Sequence, residues 1–80
     1  MSRRLDASAF DVGAYLAARC AAGYPSDAAL ARTLGIGRGE LAEIIRGVDP
    51  GALLRVRLAR VLGVAIEDLW PAAAGRERRA

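Results

Sequence analysis

The sequence has no lysine, no histidine and only one cysteine among its 80 residues. With no histidine and only Cys20 to supply sulfur, the usual zinc ligand sets are excluded, and one cysteine cannot form an intramolecular disulfide. Histidine is also the side chain most often used as a general acid or base, and no glycine-rich phosphate loop is present. We therefore expect no metal, no cofactor and no enzymatic activity.

Long hydrophobic runs are also lacking. No segment approaches the roughly 18 uninterrupted apolar residues of a membrane span, and no charged segment followed by an apolar one opens the chain as in an export signal. The unpaired cysteine suits a reducing compartment, so we expect a soluble, cytoplasmic protein with no membrane partner. Its 54% hydrophobic content is enough for one small domain.

Positive charge is concentrated at the two ends of the chain. All twelve basic residues are arginines, which with nine acids give a net charge of +3, and five of the twelve lie in the terminal segments. Such basic ends are more often solvated tails than binding segments. We therefore divide the chain into a flexible arm (1–7), a folded domain (8–70) and a basic C-terminal tail (71–80).

The clearest local pattern runs from Ser26 to Gly47. Ser26 is a good N-cap and Asp27 places a negative charge at the positive end of a helix dipole. Leu30, Ala31 and Leu34 follow at helical spacing, and Gly35 can take the left-handed conformation that ends many helices. A second apolar stripe, Leu41, Ile44 and Ile45, ends at Gly47. The pattern predicts two short helices joined by a glycine-containing turn, which is a helix-turn-helix.

Helical spacing of apolar residues predicts three further helices, and no strand signal competes with them. Helices as short as those around the turn are not stable alone, so these three must supply a common core. We therefore predict an all-α fold. The predicted bounds are residues 8–22 with Asp6 or Ser8 as the N-cap, a helix following the loop 48–51 and ending near Leu62, and a short helix from Ala65 or Ile66 to Trp70.

The first helix carries two apolar stripes. Phe10, Tyr15 and Ala18 point one way, and a second set that includes Cys20 repeats at four-residue spacing. Because Cys20 lies on an apolar face, we expect a small core residue rather than a redox sensor. In the fourth helix we expect an apolar surface over much of the circumference, Leu53 included, with three arginines facing water: Arg55, Arg57 and Arg60.

The layout resembles the λ-repressor/Cro-like, or XRE-type, family of helix-turn-helix DNA-binding domains. The resemblance rests on LARTLGIGRGELAEIIRG (Leu30–Gly47) and LARVLGVAIEDLW (Leu58–Trp70), and it covers about residues 10 to 70. It implies a compact five-helix λ-repressor-like domain whose third helix enters the major groove of double-stranded DNA. The function it implies is a small sequence-specific transcriptional regulator, such as a repressor, that binds a palindromic site as a homodimer.

The resemblance also assigns candidate DNA-binding residues around the third helix. Arg38 suits the O6 and N7 acceptors of guanine, and Glu40 can accept from a cytosine amino group. Two glycines there let the backbone approach a phosphate. On the closing segment, Leu69 and Trp70 are candidates for a dimer contact, with capping of the core as the alternative. The candidate DNA-binding residues are Asp27, Gly37, Arg38, Gly39, Glu40, Glu43 and Arg46.

Two departures from the family pattern leave alternatives open. With Asp49 of the following loop included, Arg38 and Arg46 face four acids on the proposed surface, a net charge of −2, whereas DNA affinity depends on neutralising phosphates. The four acids are Asp27, Glu40, Glu43 and Asp49. Arg32, Arg55, Arg57 or the terminal arginines would have to compensate. The alternative function is therefore a protein-binding module (an antiactivator, an antitoxin-like protein or a DNA mimic) that uses an acidic third-helix face. Where the family has a buried ion pair, this chain has Cys20 and Ile45, which we expect to touch in the core.

Overall fold

The computed structural model describes residues 10–71, which contain α-helices and no strand. The predicted all-α class is confirmed. No helix in this range is long and apolar enough to cross a membrane. The predicted arm 1–7 and all of the tail after Pro71 lie outside the described residues. The helices are α1 (Val12–Ala21), α2 (Asp27–Leu34), α3 (Arg38–Arg46), α4 (Ala52–Leu62) and α5 (Ile66–Leu69).

The first helix begins later than the sequence predicts. Its N-cap is Asp11, whose carboxylate accepts the backbone N–H of Ala14 at 3.0 Å, because a helix start leaves N–H groups that a carboxylate can satisfy. The backbone N–H of Asp11 donates to the carbonyl of Leu69 at 2.9 Å. This bond ties the entry of α1 to the end of α5. The predicted caps, Asp6 and Ser8, lie outside the described residues.

Both ends of α2 and the end of α3 lie where the sequence places them. The Ser26 hydroxyl accepts the N–H of Ala29 at 3.2 Å. Gly35 and Gly47 adopt the left-handed conformation with φ of 78° and 113°. A left-handed residue after the last turn lets the next N–H groups satisfy the final carbonyls of the helix. Local capping therefore determines these boundaries, and α2 and α3 pack against each other across a three-residue turn, 35–37.

The core collects apolar side chains from every helix. At one end, the Phe10 ring lies 5.6 Å from the Tyr15 ring and 5.1 Å from the Trp70 ring, measured between centroids, in the tilted arrangements that aromatic pairs prefer. These contacts join α1 to the residue that follows α5. The largest fully buried side chains are Tyr15, Leu30, Leu41, Ile44, Leu58 and Leu69.

The expected core role of Cys20 is wrong. Cys20 is exposed, and so are Val12 and Leu16 of the same stripe. Successive residues on a helix are about 100° apart, so the stripe that contains Tyr15 and Ala18 and the stripe that contains Cys20 cannot both face the core. The expected contact between Cys20 and Ile45 is therefore also wrong, although Ile45 is half-buried against the core.

We expected Arg55 to face water, but its side chain is bound to other groups of the protein. Its guanidinium lies over the Trp70 ring at 5.2 Å and forms two bonds to the Asp49 carboxylate, Nη2 to Oδ2 at 3.0 Å and Nε to Oδ1 at 3.1 Å. Asp49 Oδ1 also accepts the N–H of Gly51 at 2.9 Å. The arginine therefore fixes the loop between α3 and α4 against the core. Arg60 is exposed as expected, whereas Arg57, though exposed, donates from Nη2 to the Leu34 carbonyl at the end of α2 at 2.7 Å. Leu53 is 74% exposed, so α4 is less buried than its apolar content indicates.

The capping account predicts opposite effects for two glycine-to-alanine changes that are equally free of steric contact. A Cβ at Gly35 or at Gly39 meets nothing within 4 Å. Gly35→Ala places alanine in the left-handed region and should lower the free energy of unfolding by about 1–2 kcal/mol. Gly39→Ala lies in the first turn of α3 and should raise it by up to about 1 kcal/mol. Urea unfolding measures both, and equal effects of the same sign would contradict the account.

Candidate nucleic-acid interface

The turn between α2 and α3 leads into an exposed segment of four residues, 37–40. Ile36 just before it packs against the core, which turns the next residues outward. Gly37 is the N-cap of α3 and makes no side-chain cap hydrogen bond. The first N–H groups of a helix have no partner within the helix, so at this end they are available to an acceptor from outside. Among the candidate residues, this segment holds Gly37, Arg38, Gly39 and Glu40, all exposed.

The two glycines of this segment are not required by the fold. Gly37 has φ of −77°, which any residue can adopt, and a Cβ at either Gly37 or Gly39 meets nothing within 4 Å. They differ in this from Gly35 and Gly47, which the positive φ requires. A glycine that neither packing nor backbone conformation explains is typical of a place where another molecule comes close to the backbone.

Arg38 and Arg32 lie at the rim of a shallow hollow between α2 and α3. Ala28, Ala31 and Ile36 line the rest of it. Both arginines are exposed. The sequence suggested Arg32 only as one of several compensating charges, and the structure brings it to the same hollow as Arg38. The two arginines and the positive end of the α3 dipole therefore bring positive charge to this site.

The far end of α3 carries an ion pair. Arg46 Nη2 donates to Glu43 Oε2 within the last turn of the helix. Both side chains are about half exposed or more, so the pair contributes little to stability. Its consequence is electrostatic, because the two charges cancel locally. Glu43 and Arg46 thus lie together, one to two turns beyond the exposed segment.

Asp27, the remaining candidate residue, is bound by the first helix. Its Oδ1 accepts hydrogen bonds from the Tyr15 hydroxyl and from Arg19 Nη1, the latter at 2.7 Å. Burial of the phenol, together with the Asp27 carboxylate beside it, raises the pKa of Tyr15 well above its ordinary value. The hydrogen bond to Asp27 raises the pKa of the Arg19 guanidinium. The Asp27 side chain therefore links α2 to α1, and its backbone lies in the first turn of α2.

Ion pairing changes the charge of the candidate face. By the count made from the sequence, the face is acidic. Three of its four acids, however, are bound to arginines, and two of these arginines were not included in that count. With Arg19 and Arg55 included, four arginines balance four acids, and Arg32 adds a further positive charge. The face is therefore not acidic overall. The three pairs are Arg19 with Asp27, Arg46 with Glu43 and Arg55 with Asp49.

Leu69 and Trp70 lie inside the core. Leu69 is fully buried and Trp70 is 2% exposed. The Trp70 ring is covered by Phe10 on one side and by the Arg55 guanidinium. Two buried side chains offer no surface to another subunit, so the burial supports the alternative interpretation, that they cap the core. We do not retain them as a dimer contact.

Comparisons with known proteins add no assignment. No protein-family model, curated protein sequence or solved structure matches the chain.

The raised pKa of Tyr15 predicts that the protein loses stability at alkaline pH. Because folding raises the pKa of Tyr15, the folded protein keeps a proton that the unfolded chain loses above about pH 10. The unfolded state then binds fewer protons, so the free energy of unfolding should fall with rising pH, by up to about 1.4 kcal/mol per pH unit from this group. Tyr15→Phe should remove this contribution. Urea unfolding between about pH 9 and pH 11 measures it.

The matched control is Tyr24→Phe, which removes the other tyrosine hydroxyl and leaves Tyr15 in place. Tyr24→Phe should retain the alkaline loss of stability. If Tyr15→Phe and the unchanged protein showed the same pH dependence, the Tyr15 hydroxyl would not be held by Asp27 in solution.

Proposed function

We propose that this protein is a sequence-specific DNA-binding regulator of the λ-repressor/Cro-like type. In this proposal α2 and α3 form a helix-turn-helix, and the first turn of α3 enters the major groove. The observation that carries the proposal is the exposed segment 37–40. It combines an uncapped helix start with two glycines that the fold does not require and with Arg38.

Each candidate residue has a distinct role in this proposal. Arg38 donates two hydrogen bonds to the O6 and N7 of a guanine, and Glu40 accepts from a cytosine amino group. Gly37 and Gly39 allow a phosphate to approach the free N–H groups of α3. Arg32, at the rim of the same hollow, adds attraction for phosphate. Near the end of α3, Glu43 lies beside the groove and Arg46 lies near a phosphate. At the start of α2, the backbone of Asp27 also lies near a phosphate.

In this proposal the protein acts as a cytoplasmic homodimer on a palindromic site. A two-fold dimer places its two α3 helices in successive major grooves when the half-sites are about one helical turn apart. The contact between subunits is not made by Leu69 and Trp70, because both are buried. Repression follows most simply, since a dimer bound over a promoter occupies the site of the polymerase.

A second candidate function is a protein-binding module with the same fold. The observation in its favour is the composition of α3, whose two arginines are matched by two glutamates. A neutral recognition helix gains no general attraction to DNA, and such a surface is equally suited to a protein partner. In this alternative, Glu40 and Glu43 contact a basic partner, as in an antiactivator, an antitoxin-like protein or a DNA mimic.

Changing Arg38 to alanine tests the DNA-binding proposal. Because Arg38 is exposed, Arg38→Ala should leave folding intact. Loss of two hydrogen bonds to one base should weaken binding by about 1–3 kcal/mol and relax the preference at that base pair. Mobility-shift assays on DNA upstream of the protein's own gene, with single-base variants, measure both effects.

The matched control is Arg60→Ala, which removes an exposed arginine from α4. It should leave the sequence preference unchanged. If the unchanged protein does not bind the upstream DNA at about 50 mM salt, where phosphate contacts are strong, the DNA-binding proposal fails and the protein-binding alternative takes its place. An Arg38→Ala variant with unaltered preference would exclude Arg38 from base contact.

A further inference from the structure

A shallow groove of about 630 Å³ runs between α1 and the start of α5, away from the candidate interface. One wall is made by small apolar residues of α1, and Val64 and Pro71 add apolar surface. The charged residues along it are all acidic, and no arginine lines it. The α1 residues are Ala14, Ala17, Ala18 and Ala21, and the acids are Asp11, Glu67 and Asp68.

The chain leaves the described range at this groove. Pro71 is one of its lining residues. The bond between the N–H of Asp11 and the carbonyl of Leu69 places Pro71 near the Asp11 end. The residues that follow are therefore tethered beside the groove.

The sequence after Pro71 complements the groove in size and charge. Three alanines, 72–74, come first, and their side chains suit a wall that is itself made of alanine. Gly75 is followed by a basic stretch, Arg76 to Arg79, with three arginines and one glutamate. This gives a net charge of +2 for residues 72–79, opposite three acids in the groove.

The tether is long enough for these contacts. Along α1 the groove extends from Asp11 to Ala21, which is about 15 Å at the helical rise. Arg76 and Arg79 are five and eight residues beyond Pro71, so an extended chain reaches about 16 to 28 Å. All three arginines can therefore reach any of the three acids.

We propose that residues 72–79 bind in this groove as an intramolecular ligand. The alanines lie against the alanine wall of α1, and the arginines pair with Glu67, Asp68 and Asp11. Because the pairs are exposed to solvent, they are screened by salt, so docking weakens as the ionic strength rises. Docking holds the three arginines of residues 72–79 against the protein's own surface. The inference does not depend on the proposed function.

A spin label on Cys20 tests the proposal with the full chain. Cys20 is exposed and is the only cysteine, and its neighbour Ala21 lines one end of the groove. In ¹⁵N-labelled protein at ~0.01 M salt, the label should broaden the amide signals of Arg76, Arg78 and Arg79. At ~1 M salt, where the Debye length falls from ~30 Å to ~3 Å, the broadening should fall by at least ~twofold.

Charge reversal provides the matched controls. Glu67→Arg, which leaves the groove with a net charge of −1, should weaken the broadening. Arg78→Glu with Arg79→Glu, which gives residues 72–79 a net charge of −2 opposite three acids, should remove it. A second sample mixes two kinds of chain, one that carries the spin label and no ¹⁵N, and one that carries ¹⁵N and no spin label. This mixture separates docking within a chain from docking between chains. Broadening in the mixture would show that a second copy occupies the groove, and it would overturn the proposal. Equal broadening at both salt concentrations, or none at low salt, would overturn it as well.

Discussion

The carboxylate of Asp27 is the contact on which the placement of the candidate interface depends. A single oxygen accepts from the Tyr15 hydroxyl and from Arg19, so the first turn of α2 is held against α1. The Asp27 side chain is 47% exposed, and the net stabilisation from its ion pair is therefore modest. Its main effect is geometric. Two donors on α1 restrict the orientation of α2, and α3 follows from α2 through the three-residue turn 35–37.

The far side of α3 is held by a different contact of the same kind. Arg55 lies between the Trp70 ring and the Asp49 carboxylate, which also binds the start of α4. Acids at both ends of the α2–α3 unit are therefore engaged by arginines of other helices. These arginines stabilise the unit and also neutralise acids that otherwise repel phosphate. The exposed segment 37–40 lies between these two anchored ends, and neither its glycines nor Arg38 takes part in the packing.

Helix bounds were predictable wherever they depend on local chemistry. Ser26, Gly35 and Gly47 act within one helical turn, so the ends of α2 and of α3 could be inferred from spacing alone. The start of α1 could not, because Asp11 competes with earlier candidate caps and its backbone is bonded to Leu69, far along the chain. The direction that α1 faces depends on its neighbours. Both of its apolar stripes have helical spacing, and only packing selects the one that contains Tyr15 and exposes Cys20.

The side-chain contacts of the candidate site were less accessible to sequence. Exposure of Arg38 and Glu40 follows from their position at a helix start after a turn. The bonds of Asp27 to Tyr15 and Arg19 span 12 and 8 residues and cross the Tyr24–Pro25 link, so no periodic pattern signals them. The charge of the interface was misjudged for the same reason. A count along the sequence cannot show that Arg19 and Arg55 reach acids from other helices.

The central claim is that the start of α3 is the contact surface for DNA. The most direct measurement is an NMR titration of the ¹⁵N-labelled protein with a duplex from the upstream region of its own gene. The account predicts that the largest amide shifts occur at Gly37, Arg38 and Gly39, with smaller ones at the start of α2 and none in the middle of α4. Shifts confined to α1 or α4, with residues 37–40 unchanged, would contradict it.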